Sequence, residues 1–163
     1  MNLEDKVSIL KGIGPKKAIA LEKLNINCVE DLMYSFPRRY EDRREVTLIS
    51  QSFVGNDVLI IGTVISKFYD GRAYKKNRPL RLIIEDKSGL IDVIFFNGNY
   101  ISNYFQIGTE YSFFGHINEN LNKKQMIHPE FHKLGDEDDL RGIIPIYPIT
   151  EGITQKDMRK WQK

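Results

Sequence analysis

The stretch "LRLIIEDKSGLIDVIFFNGNY", residues 80–100, decides the fold. "LRLIIED" and "LIDVIFF" are β-branched, apolar runs joined by "DKSG", the pattern of a hairpin in which Gly89 supplies the tight turn. Alternate side chains of a strand point to opposite faces, so Ile91, Val93 and Phe95 share one face and Asp92, Ile94 and Phe96 the other. A phenylalanine is thereby aimed to the side that carries an aspartate. Asn97, Gly98 and Asn99 break the run before Tyr100. With a helix beginning near Gly98, Phe96 and Tyr100 form an exposed aromatic ledge on which bases can stack. The competing reading buries Phe96 beneath that helix as a lid of the barrel.

Outward from this hairpin the β texture continues. "DVLIIGTVISKFY" (57–69) is a long strand with Gly62 where it bends. "GNYISNYFQIG" (98–108) reads as a short helix ended by Gly108. "TEYSFFGHI" is a fourth strand, "NENLNKK" a polar loop, and "QMIHPEFHKL" a fifth strand broken near Pro129. Three strands, a helix and two strands match a five-stranded OB-fold Greek-key barrel with a helix between strands 3 and 4. A Greek-key sandwich would need about seven strands.

Residues 1–45 read as a helical extension. Leu3, Val7 and Leu10 fall at helical spacing. In "KGIGPKKAIALEKLNI" Pro15 opens a second helix that carries Ala18, Leu21 and Leu24, and "VEDLMYSF" is a third, stopped by Pro37. "PRRYEDRREVTL" is a charged connector. The expected division is therefore 1–45 helical extension, 46–133 OB-fold and 134–163 linker with the start of a helix, mainly β overall. In the last segment Pro145 and Pro148 forbid helix across "IPIYP", and Thr154 is an N-cap for a helix from Gln155. A chain that stops on "KWQK" soon after is expected to be a fragment of a longer protein.

Composition narrows the function classes. The 163 residues are 41% hydrophobic and 28% charged, as in globular proteins. No run approaches the ~20 apolar residues of a membrane span, and "MNLEDKVSIL" is no signal peptide. A lone Cys28 suits a reducing, cytoplasmic compartment. Net charge is only +2, but it is polarised: basic residues crowd 67–87 and acidic ones 130–139. That arrangement steers an anionic partner to one side. His128 and His132 have H-x3-H spacing, but Pro129 keeps them off one helical face, so no metal site is expected. "GIGPKK" lacks the G-x-x-x-x-G-K-[ST] of a phosphate loop, and no nucleophile–base pair stands out, so no catalytic residue is assigned.

Binding chemistry is present instead. The loops joining barrel strands one–two and four–five, where OB-folds bind, are "DGRAYKKNRP" and "NENLNKK". They contribute Arg72, Lys75, Lys76 and Arg78 from one and Lys123 and Lys124 from the other; with Arg81 these are the expected phosphate contacts. "KGIGPKKA" has the turn of a helix-hairpin-helix, in which Gly12 and Gly14 let backbone N–H groups approach a phosphate and Lys16 and Lys17 add charge. The plain alternative is a tight turn that touches nothing.

"LKGIGPKKA", "FPRRYEDR", "IEDKSGLIDVIFFN", "MIHPEF" and "IPIYPITEGITQKDMRK" together resemble the N-terminal region of the RecG-type ATP-dependent DNA helicases of bacteria, and the likeness runs through the whole chain. The resemblance implies a wedge domain, an OB-fold with a helical extension. Such a domain holds branched DNA (replication forks, Holliday junctions) and splits strands as motor domains pull duplex, in DNA repair and recombination. It sets Phe96 and Tyr100 against bases at the junction. It also implies a nucleoid-associated cytoplasmic protein, partnership with motor domains of the same polypeptide and with single-strand-binding protein, and no membrane. ATP and magnesium belong to the full-length family protein. The motor motifs are missing here, so helicase activity does not carry over, and no cofactor is expected. A rival from another class is an OB-fold module that docks a protein, such as single-strand-binding protein.

Overall fold

The computed structural model describes residues 1–69, 78–96, 98–136 and 141–163. Helices α1 (Pro15–Glu22) and α2 (Val29–Met33) precede strand β1 (Arg39–Arg43). Strands β2 (Asp57–Tyr69), β3 (Leu80–Asp86), β4 (Gly89–Phe95), β5 (Glu110–Asn120), β6 (Lys123–Ile127), β7 (Glu130–Lys133) and β8 (Gly142–Ile146) follow, then helix α3 (Gln155–Trp161). They form two units, one of residues 1–42 with 143–163 and one of residues 43–142. No described helix is long and apolar enough to cross a membrane.

The second unit is the barrel. Its strand order is β2-β3-β4-β6-β5-β7, and β2 also pairs with β5, which closes the sheet on itself. The β4–β6 pair is parallel and the other pairs are antiparallel. Inward residues of every strand, among them Val64, Leu82, Val93, Phe113, Ile117 and Met126, fill one apolar core. Gly62 is needed in β2 because a Cβ there would stand 2.5 Å from Ile84 Cγ2 and 2.8 Å from the Glu85 carbonyl. The β2–β3 register slips between Val64 and Ser66, a bulge that adds curvature to the strand.

Three features of the barrel depart from the sequence expectation. The turn between β3 and β4 does not rest on Gly89. The Asp86 carboxylate makes it, accepting from the Ser88 N–H and hydroxyl and the Gly89 N–H. Its other oxygen accepts from the Ile49 N–H. "NENLNKK" is not a loop, because the β5–β6 ladder runs to Asn120↔Lys123. Only Leu121 and Asn122 remain at the tip, with φ 50° and 61°, the two positive values of a type I′ turn. The expected helix after β4 is a pair of 3₁₀ turns, Gly98–Tyr100 and Ser102–Tyr104. Side chains from the barrel take the backbone groups that a helix would have used. Lys67 Nζ donates to the Ser102 and Phe105 carbonyls. The Tyr111 hydroxyl donates to the Tyr104 carbonyl and accepts from the Gln106 N–H.

The first unit corrects the domain division. Residues 143–163 are not a linker: Tyr147, Ile153 and Met158 share a core with Val7, Ile13, Leu21 and Leu32. "RRYEDR" is no mere connector either, since β1 pairs with β8 in a two-stranded sheet. The helix expected from Leu3, Val7 and Leu10 is reduced to a 3₁₀ turn at Val7–Ile9. Residues 3–7 instead lie beside 27–30, with the Val7 N–H on the Asn27 carbonyl, Val29 N–H on Asp5 and Glu30 N–H on Leu3. Pro15 does open α1, and Thr154 does cap α3, its hydroxyl accepting from the Asp157 N–H while Asp157 returns a bond to the Thr154 N–H.

Candidate nucleic-acid interface

The end of β4 separates two phenylalanines that are neighbours in the chain. Phe95 is 3% exposed and stacks 5.7 Å from the Phe105 ring, with Phe131 edge-on at 5.3 Å. Phe96 is 50% exposed, and Tyr100, closing the first 3₁₀ turn, is 94% exposed. Phe96 is therefore not a lid. Ile94, on the same side of the strand, is buried; Arg81 and Ile127 flank it across the sheet. Two residues on, Gly98 lies directly on Leu80. His128 backs the exposed ring at 5.4 Å, and its Nε2 accepts the Phe96 N–H at 3.0 Å.

The outer face of the same barrel carries a shallow cleft lined by Phe68, Arg81, Ile83, Asp92, Leu121 and Lys123. Arg81 is bound across it to Asp92, Nη1 to Oδ2 at 2.6 Å. Sequence reasoning missed Phe68, Leu121 and His128. The alternation that exposed Phe96 also gives Phe68 a face, but nothing in the sequence spacing places the His128 ring against Phe96.

The expected phosphate contacts are spread unevenly. Arg72, Lys75 and Lys76 lie outside the described residues. Arg78 holds its guanidinium 5.2 Å from the Tyr69 ring centre. Lys123 is exposed, whereas Lys124 is turned inward, its ammonium on the Ile49 and Ser52 carbonyls. In the other unit, Gly12 (φ 95°) and Gly14, the N-cap of α1, are exposed, as is Lys16. Lys17 instead bonds Asp157 at 2.5 Å and lies 5.3 Å over the Trp161 ring. Burial raises the Asp157 carboxyl, but the Lys17 bond and the Thr154 N–H and hydroxyl outweigh it and hold it below its ordinary value. Among the described residues no group of three His, Cys, Asp or Glu is placed to hold a metal.

The sequence model of the RecG wedge domain matches residues 6–163. The ATP-dependent DNA helicase RecG of Thermotoga maritima is 30% identical over 163 residues, covering 98% of this chain and 21% of that protein. The helicase of the same name from Escherichia coli K12 is 30% identical over 158 residues, 94% of this chain and 22% of its own length. A solved structure of RecG bound to a three-way DNA junction superposes with TM-score 0.82 at 29% identity, across 99% of this chain and 22% of that one. The chain thus spans about a fifth of the length of the curated relatives it matches.

Proposed function

Because the chain belongs to the RecG wedge-domain family, we propose that it is a DNA-junction wedge: it holds branched DNA and parts the strands while the family's ATP-driven motor domains draw duplex past it. The observation that carries this reading is the pair of exposed rings that follow the buried Phe95, Phe96 at the end of β4 and Tyr100 four residues on. Apolar rings held in water on a closed barrel are platforms for bases unpaired at a branch, each stacked base contributing roughly 1–3 kcal/mol. Lys123, Arg78 and the loop cations Arg72, Lys75 and Lys76 supply phosphate contacts, which position DNA without reading sequence. Recognition is accordingly of structure rather than sequence and weakens steeply with salt. Gly12, Gly14 and Lys16 offer a second contact for a duplex arm; Lys17, held by Asp157, serves the turn rather than the DNA. The chemistry of the wedge is mechanical and needs no cofactor of its own.

Fluorescence anisotropy on a three-way fork, linear duplex and single strand tests the reading. The fork binds tightest, and Phe96→Ala loses about 5- to 150-fold on the fork with little change on duplex. Equal affinity of the wild-type protein for fork and duplex would overturn it.

A further inference from the structure

The parallel ladder between β4 and β6 pairs Asp92 with Gln125, Val93 with Met126 and Ile94 with Ile127. It closes with the His128 N–H on the Ile94 carbonyl at 2.9 Å. One more rung would carry the Phe96 N–H to the His128 carbonyl. The chain does not offer it, because it turns away at His128, whose φ is 48°. Positive φ is uncommon outside glycine, and the position before a proline disfavours helical backbone further. Pro129, which has no N–H to give, is buried against β5, where a Cβ on Gly115 would stand 3.0 Å from the proline Cβ. The missing backbone acceptor is replaced by a side chain: the Phe96 N–H donates to His128 Nε2 at 3.0 Å. The imidazole lies 5.4 Å from the Phe96 ring and 5.7 Å, edge-on, from that of Phe95. It thus packs against both the buried Phe95 and the exposed Phe96.

We propose that His128 is the positioning residue of the ledge, its imidazole completing the β4–β6 ladder by one rung and fixing where the Phe96 ring meets DNA; this rests on the reading of Phe96 as a base-stacking residue. Accepting through Nε2 sets the tautomer, with the proton on Nδ1, and an imidazolium with donors at both nitrogens could not make the bond. His128 acts through Phe96, so its removal costs binding only while the Phe96 ring is present.

A double-mutant cycle on fork DNA tests this. His128→Ala lowers fork affinity about three- to ten-fold, the range of one lost hydrogen bond, and leaves duplex affinity unchanged. In a Phe96→Ala background the same change has no further effect. His128→Gln, which keeps an acceptor, restores part of the loss. Additive losses, or full fork affinity in His128→Ala while Phe96→Ala is impaired, overturn the role of His128 and leave that of Phe96 standing. An unimpaired Phe96→Ala overturns the stacking reading itself. If His128→Ala does not fold, nitrogen NMR of the wild-type protein decides: an unprotonated, hydrogen-bonded Nε2 and a slowly exchanging Phe96 amide support the proposal, and a protonated Nε2 overturns it.

Discussion

A Cβ placed on Gly98 would stand 2.1 Å from the Cβ of Leu80, so the segment that carries Tyr100 is seated on the first residue of β3 with no room for a side chain between them. Leu80 is fully buried and its backbone pairs with Phe95, so neither partner can yield. Gly98→Ala is expected to cost about 1–3 kcal/mol by overpacking. Chemical denaturation measures the loss, and fork affinity falls with it because the turn that carries Tyr100 is displaced from its seat on Leu80.

Phe95 and Phe96 separate stability from binding. Phe95→Ala empties a site among Phe105, Phe131 and His128 and is expected to destabilise by about 3–5 kcal/mol. Phe96→Ala removes a half-exposed ring and changes the unfolding free energy from urea denaturation by less than about 1 kcal/mol. A Phe96 variant that melts like the Phe95 variant would return that ring to the core.

Lys123 and Lys124 are expected to part company in the same way. Lys123→Ala leaves the melting temperature unchanged and lowers the salt-dependence slope of DNA binding by roughly one. Lys124→Ala leaves the Ile49 and Ser52 carbonyls without their ammonium and costs about 1–2 kcal/mol of stability.

Arg43 is 2% exposed, forks onto both Glu130 oxygens at 3.0 and 3.2 Å, and lies 3.6 Å over the Phe114 ring. Glu130→Ala takes two charge-assisted bonds from a desolvated guanidinium. The expected loss is roughly 2 kcal/mol, below the ~3–5 kcal/mol of a wholly buried pair because Glu130 keeps contact with water. Melting of Glu130→Ala against Glu130→Gln measures how much is charge.

The Asp86 turn gives the barrel an acid limit. Burial pushes the carboxyl up, but hydrogen bonds from the Ser88 hydroxyl and the Ile49, Ser88 and Gly89 N–H groups outweigh it and hold it below its ordinary 3.8. A folded-state value below the unfolded one stabilises the fold above pH 3.8 and loses that contribution as pH falls through the lower value. Melting temperature is expected to drop through this window. Asp86→Asn should be less stable at neutral pH, by about 1–2 kcal/mol, and show a flatter acid limb.

Much of this was legible in the residues. The span Asp57–Tyr69, the Pro15 and Thr154 helix starts and the division between Phe95 and Phe96 follow from local pattern, because strand alternation and helix capping are short-range effects. What escaped depends on partners far apart in sequence. The β1–β8 pair joins a charged run, which lacks the texture of a strand, to an extended run interrupted by Pro145, and nothing local pairs the two. The early helical spacing lost to pairing with residues 27–30, and the helix after β4 lost its backbone partners to Lys67 and Tyr111. For the interface, alternation turned Phe96 outward but left lid and ledge both open, and its acceptor His128 lies 32 residues on and reaches it only through the barrel's parallel pair.

The chain enters the barrel along β1 and leaves it along β8, and these strands are hydrogen-bonded neighbours, with the Arg38 N–H on the Ile146 carbonyl. Residues 43–142 are therefore a cassette with adjoining ends, spliced into a host built from both flanks of the sequence. Joining Asp42 to Ile143 through a short linker in place of residues 43–142 is expected to leave the fold of the first unit standing.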